Sequence, residues 1–209
     1  MAKKGLLIVV SGFSGAGKGT LIRKLTEQHD HYVLSVSMTT RAPRAGEQDG
    51  REYFFSDVPR FTEMIDQNGF LEHAVYGGNH YGTPRAFVEE QLNAGKDVLL
   101  EIEVQGALQV KGRFPEALLI YVVTPSVEEL RRRLEGRGTE SKEVIEKRLK
   151  RAVDESDALE AYEYIVVNDD VTRCAEEIHG IVQGARCATA RNKSFIEETR
   201  KALHEAFDH

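Results

Sequence analysis

Gly12-Phe13-Ser14-Gly15-Ala16-Gly17-Lys18 sets three glycines and a lysine between a short apolar run and a segment of helical periodicity. Glycines let backbone N–H groups turn inward around an anion. A helix N-terminus adds positive potential there, and Lys18 brings a full charge. The chemistry this predicts is the cradling of a phosphate chain. The commoner loop carries a hydroxyl residue directly after the lysine to hold Mg²⁺. Here Gly19 stands there and Thr20 follows, so Thr20 Oγ is the nearest substitute for that ligand.

A second group of charges occupies residues 35–55. Arg41 and Arg44 stand three apart on a segment stiffened by Pro43 and can fork a phosphate. Tyr53 and Tyr81 add hydroxyl donors. Glu101 and Glu103 end an apolar run at the strand edge where ligands bind in parallel sheets. A third group, about residues 131–151, is rich in arginine and holds Gly136-Arg137-Gly138, which predicts a hinge or loop. Any one of these side chains alone would be a solvated surface charge. Together they predict a site for polyanions built from local cations.

The chain as a whole supplies no such field. Its 209 residues carry 28 Lys and Arg against 34 Asp and Glu, a net charge of −6. That argues against general nucleic-acid binding. Apolar residues make up 41% and charged residues 30%, as in a globular domain able to bury its own core. The longest apolar runs, Leu6–Val10 and Ala117–Val123, are too short to span a membrane. Residues 1–5 have cations but no long apolar region, and the two cysteines, Cys174 and Cys187, cannot form a disulfide framework. The expectation is a cytoplasmic protein with free thiols.

The elements that must position these groups alternate. Leu6–Val10, residues 98–102, Ala117–Val123 and Tyr164–Val167 read as strands buried on both faces, with helical patterns between them. Such alternation predicts an α/β fold with a parallel sheet covered by helices on both faces. Ser126-Val127-Glu128-Glu129 predicts a capping box. Residues 35–83 read instead as an α+β insertion. It has a strand at Tyr53–Phe55, a helix opened by Asp57-Val58-Pro59 and closed by Asn68-Gly69, and a strand over Phe70–Tyr76. Thr83-Pro84 predicts the next helix, with Thr as N-cap. In the last stretch Phe195, Ile196, Thr199, Leu203 and Phe207 share one helical face. That stripe could dock on the chain's own core or on a second copy.

The segment from Thr39 to Phe55 carries Thr-Thr-Arg-x-x-Arg-x-x-Glu-x-x-Gly-x-x-Tyr-x-Phe at every marked position. It resembles the signature of the guanylate kinases. The resemblance runs from about Gly5 to Gly184 and includes the arginine-rich stretch and the Val167-Asn168-Asp169-Asp170 segment. It implies the P-loop nucleoside monophosphate kinase fold: a parallel-sheet core (about 5–34, 84–130 and 152–184), a GMP-binding subdomain (about 35–83) and a lid (about 131–151). Residues 185–209 then form a C-terminal helical extension. The implied activity is transfer of the γ-phosphate of ATP to GMP, with dGMP as a further acceptor and Mg²⁺ as cofactor.

The resemblance also implies roles. Gly12 to Thr20 hold ATP, with Asn168 near the adenine. Ser37, Arg41, Arg44, Glu47, Tyr53, Glu72, Tyr81, Thr83 and Glu103 hold GMP. Glu72 takes the guanine N1–H and 2-amino donors, Ser37 and Thr83 reach the base, and Glu47 orients the arginines. Glu101 acts on the Mg²⁺ hydration shell; it and Glu103 stand where the family commonly has Asp. Lys18, Arg133, Arg137 and Arg148 serve the transferring phosphate. The loop variant Gly-Lys-Gly-Thr also resembles that of adenylate kinases. That raises a kinase for AMP or a pyrimidine nucleotide, but residues 37–83 favour guanine. A guanylate-kinase-like domain that binds phosphorylated peptides without catalysis is the other reading. That class typically lacks parts of the loop and lid, which are present here.

Overall fold

The computed structural model describes residues 4–136 and 141–207. The chain opens with β1 (Leu7–Gly12), buried along its whole length, then α1 (Lys18–Gln28) and β2 (Tyr32–Leu34). The insertion follows as β3 (Ser37–Thr39), β4 (Tyr53–Phe55), α2 (Val58–Asp66), β5 (Phe70–Tyr76) and β6 (Asn79–Pro84). The chain then returns to the core through α3 (Arg85–Asn93), β7 (Asp97–Glu101), α4 (Val104–Arg113) and β8 (Leu118–Val123). Beyond β8 come α5 (Val127–Glu135) and α6 (Lys142–Ser156), then β9 (Tyr164–Val167), α7 (Val171–Cys187) and α8 (Lys193–Phe207).

Strands β2-β7-β1-β8-β9 form one parallel sheet in that order. Alternate residues of β1 serve opposite faces, as the pleat requires. Ile8 and Val10 join the layer of α1 and α7; Leu7 and Val9 join the layer of α3 and α4. The central strand therefore delivers the glycine loop to the middle of the sheet's carboxyl edge. The insertion is a second sheet, β4-β3-β6-β5, with β3 and β4 parallel and the other pairs antiparallel. Its small core joins Met38, Phe61 and Phe70, with the Phe61 and Phe70 rings stacked at 4.5 Å. Helices α5 and α6 share Leu130, Leu134 and Ile145, against which Phe13 of the glycine loop packs.

Several local expectations are corrected. Strand β9 is not buried on both faces: only Val166 is buried, because β9 is the sheet's edge and is covered on one side. Thr83 does not cap α3. It lies in β6, the helix starts at Arg85, and the Thr83 hydroxyl is used elsewhere. The close of α2 at Asn68-Gly69 does form as expected: Asn68 takes a left-handed φ of 54°, and the Gly69 N–H donates to Met64 O at 2.7 Å. Half of the capping box forms: Ser126 Oγ accepts from the Glu129 N–H at 3.2 Å, while the Glu129 carboxylate turns to Arg132 and Arg133. The apolar stripe of α8 leaves Phe195, Leu203 and Phe207 exposed. Among the described residues no helix is long and apolar enough to cross a membrane.

One buried charge ties the layers together. Asp97, fully buried at the start of β7, accepts from the Leu6 N–H at 2.7 Å and from Arg186 of α7 at 2.5 Å. Breaking a buried pair leaves an uncompensated charge, which costs about 3–5 kcal/mol. Arg186 keeps partial solvent contact, so Arg186→Met is expected to lower unfolding free energy by about 3 kcal/mol, the low end of that range. Urea unfolding checks this; a change within the scatter of ordinary surface substitutions would show that Asp97 does not need its partner.

Candidate functional site

The glycine loop has the backbone of an anion cradle. Gly15 and Gly17 lie at φ 96° and 92°, which side chains disfavour. A Cβ on Gly17 would also stand 2.5 Å from Asn168 Nδ2. Lys18 Nζ donates back to Gly12 O at 2.6 Å and Phe13 O at 3.3 Å, so the ammonium lies over the loop. Asn168 is 2% exposed and supports the loop: Nδ2 donates to Ala16 O at 2.7 Å. Its Oδ1 is buried with no hydrogen-bond partner.

Two arginines reach the same loop from α5 and α6. Arg133 donates through Nη2 to Asn168 O at 2.8 Å and through Nη1 to Ala16 O at 3.4 Å. Arg148 Nη1 donates to Ser14 Oγ. Glu129 orders the cluster, accepting from Arg133 Nε at 2.6 Å and from Arg132 at 2.7 Å. Hydrogen bonds from Arg132 first and Arg133 second hold its carboxyl down at about 2. Arg131 pairs with Glu146, and Arg132 is 74% exposed. Arg137 lies outside the described residues.

The second sheet gathers the other arginine group. Arg41 makes a two-pronged bond to Glu47 at 2.9 and 3.0 Å, and the Arg44 N–H donates to Glu47 Oε2 at 2.8 Å. The Arg41 guanidinium stands 5.3 Å from the Tyr53 ring centre, and the Tyr81 ring lies 6.1 Å from that of Tyr53. Glu47 raises the Arg41 pKa and is itself lowered by the pair. Ser37 heads β3 opposite Tyr53. Two threonines of the signature pin β3 to β6: Thr39 Oγ1 donates to His80 O, and Thr40 Oγ1 accepts from the His80 N–H, both at 2.9 Å.

Three carboxylates lie between these groups. Glu72, 6% exposed, accepts from the Thr83 hydroxyl at 2.7 Å. Burial pushes it above the usual carboxylate range, against the pull of the Thr83 hydrogen bonds and of Arg113. Glu101, at the end of β7, is also raised by burial and pulled down by Lys18. It lies beside the loop: a Cβ on Gly19 would stand 3.5 Å from its Oε2. Glu103 precedes α4 and pairs with Arg151 of α6 at 2.9 Å, and Arg151 also donates to Glu155 at 2.8 Å. Thr20 is exposed in the first turn of α1.

The sequence reading passed over Arg151, Glu129, Thr39 and Thr40 as site residues. Glu129 and Arg133 had an i, i+4 spacing that could have found them. Arg151 had only its place three residues after Arg148. Its pairing with Glu103 crosses 48 positions of the chain.

The guanylate kinase family model matches residues 4–185. A guanylate kinase of Caldanaerobacter subterraneus subsp. tengcongensis is 49% identical over 199 residues, covering 95% of this chain and 97% of that protein. One of Clostridioides difficile is 50% identical over 199 residues, with the same coverage. The crystal structure of guanylate kinase from Anaplasma phagocytophilum superposes with a TM-score of 0.71 at 36% identity, covering 91% of this chain and 92% of that one. A glycine loop with the backbone of an anion cradle after the central strand, an arginine–tyrosine cluster on the inserted sheet and agreement over nearly the whole chain lead to one assignment: this chain belongs to the guanylate kinase family.

Proposed function

We propose that the chain transfers the γ-phosphate of ATP to GMP, giving ADP and GDP. The observation that carries this reading is Glu72. It is a nearly buried carboxylate beside Thr83, on the same sheet as the Arg41–Glu47–Tyr53–Tyr81 cluster. Guanine offers N1–H and a 2-amino group on adjacent ring positions, which one carboxylate can accept. The adenine N1 is an acceptor and would face Glu72 unfavourably. Ser37 and Thr83 supply hydroxyls to the base, and Arg41, Arg44, Tyr53 and Tyr81 take the phosphate. Glu103, held toward α6 by Arg151, contributes a second carboxylate to the guanine side.

The acceptor is already a phosphate oxygen anion, so no general base is needed. Catalysis rests on alignment and on offsetting charge. ATP and GMP together bring about six negative charges near neutral pH. Lys18, Arg133, Arg137 and Arg148 from the loop and lid, with Arg41 and Arg44 from the inserted sheet, offset them. Residues 35–83 and about 131–151 close over the two nucleotides and exclude water, which would otherwise take the phosphoryl group.

Mg²⁺ fits the oxygens at the loop rim, the Thr20 hydroxyl and the Glu101 carboxylate. Both are hard donors, and Mg²⁺ takes few protein ligands and keeps several waters. Among the described residues no group of three His, Cys, Asp or Glu could hold a metal. Bound at the loop rim, Mg²⁺ neutralises phosphate charge. The location that goes with this reading is the cytoplasm.

A coupled assay of ADP formation over GMP, dGMP, AMP, CMP and UMP tests the reading. Sites that hydrogen-bond their substrate reject analogues lacking the partner group by about 10⁴–10⁵. GMP turnover is therefore expected to exceed that of AMP, CMP and UMP by at least about 10³, and to stop on chelation of divalent ions. Equal turnover of AMP would overturn the guanine assignment. Phosphopeptide binding without turnover of any nucleotide would place the chain with the non-catalytic relatives.

A further inference from the structure

Strand β5, which carries Glu72, is an edge of its sheet, and its pairing with β6 is irregular between Phe70 and His73. A bulge at that point re-aims a side chain but leaves the ladder interrupted. Helix α4 of the core supplies what the ladder lacks. Gln109 Oε1 accepts from the His73 N–H at 3.2 Å, and Gln109 Nε2 donates to His73 O at 3.1 Å. The amide thus acts as one residue of a further strand. Arg113 Nη1 donates to Phe70 O at 2.9 Å and lies 3.4 Å from Leu71 O. Gly106 completes the face: a Cβ there would stand 2.9 Å from Glu72 Oε2. Gly106, Gln109 and Arg113 are spaced i, i+3, i+7, which puts them on one stripe of the helix. The backbone on both sides of Glu72 is therefore gripped by α4, and the carboxylate itself is closed in by the same helix.

We propose that Gln109 and Arg113 are positioning residues that hold Glu72 in its guanine-accepting pose and so set acceptor selectivity without touching the acceptor. This rests on the reading of Glu72 as the guanine acceptor. Arg113 also bears on the charge of Glu72. Among the described residues the groups that face this carboxylate are the Thr83 hydroxyl from β6 and the Arg113 guanidinium from α4, and both favour its ionised form.

The test compares GMP with IMP, the same nucleotide without the 2-amino group. Gln109→Ala is expected to raise KM for GMP about tenfold, the change that one or two net hydrogen bonds produce, with KM for ATP within about twofold. The preference for GMP over IMP falls with it. In a Glu72→Gln background the same substitution adds no further rise, since residues acting through one another are not additive. Arg113→Ala moves the acid limb of kcat/KM for GMP to higher pH, because the cation that favours ionised Glu72 is gone, and Arg113→Lys restores it. Gln109→Glu keeps the acceptor for His73 N–H and loses the donor. It provides a second, size-matched variant if the alanine form folds poorly, and it too is expected to lose GMP over IMP preference. The proposal is overturned if KM for GMP and ATP rise together, if the GMP to IMP preference is unchanged, or if the effects of Gln109 and Glu72 simply add. Glu72→Gln with undiminished guanine selectivity would remove the underlying reading itself, whatever the Gln109 variants do.

Discussion

Glu72→Gln is expected to lower kcat/KM for GMP by about 10³ while KM for ATP stays within about twofold. The amide keeps one acceptor oxygen and turns an NH₂ toward a guanine N–H, so one hydrogen bond is lost and a donor faces a donor. Solvent cannot soften this, because Glu72 is 6% exposed. The substitution keeps the side chain's shape, and Thr83 retains an oxygen to donate to, so the sheet should remain folded. The pH dependence follows from the same burial. The carboxyl lies above its ordinary range, and only its ionised form accepts two donors. In the wild type, GMP binding should therefore weaken as pH falls through a value above the usual carboxylate range, and that limb should be absent from the Gln variant. Steady-state kinetics across pH with each substrate varied in turn measures both. Near-normal GMP turnover in the variant would take Glu72 out of the site.

Arg148→Ala should lower kcat by at least about 10², the cautious side of the 10³–10⁵ that arginines contribute to phosphoryl transfer in related chemistry. Its guanidinium reaches Ser14 of the glycine loop from α6, the helix beyond residues 137–140. A group that serves mainly the transition state affects kcat more than KM when removed. Arg137→Ala is expected to behave likewise from its place between two glycines. Arg133 is a poorer probe, since it also holds Asn168 O and Ala16 O and its loss would loosen the loop. The control is Arg132→Ala. Arg132 is 74% exposed and bonds to Glu129, which keeps Arg133 as a partner when Arg132 is gone. Indistinguishable rates for the Arg148 and Arg132 variants would reduce the arginine cluster to a charged helix face.

Local pattern carried much of this protein. The glycines and lysine of residues 12–18 need only their neighbours to make a cradle, since positive φ and a following helix are properties of a short segment. The continuous apolar runs identified strands covered on both faces, and the signature from Thr39 to Phe55 marked the arginine group together with the glutamate that orders it. What the sequence left undecided depends on partners distant along the chain. Thr83 read as a helix cap because Thr-Pro commonly opens helices, yet its hydroxyl goes to Glu72, which a β-hairpin brings alongside. Tyr164–Val167 read as a strand buried on both faces because edge and centre differ only in how many neighbours a strand finds. Glu103 meets Arg151, and Gln109 meets His73, only after the inserted sheet and the lid helix are folded against α4. Sequence alone thus determined the types of chemistry present and the elements that carry them, since backbone conformation and burial pattern are locally encoded. Tertiary structure decided which carboxylate meets which cation and which amide completes which strand, because those choices depend on distances across the fold.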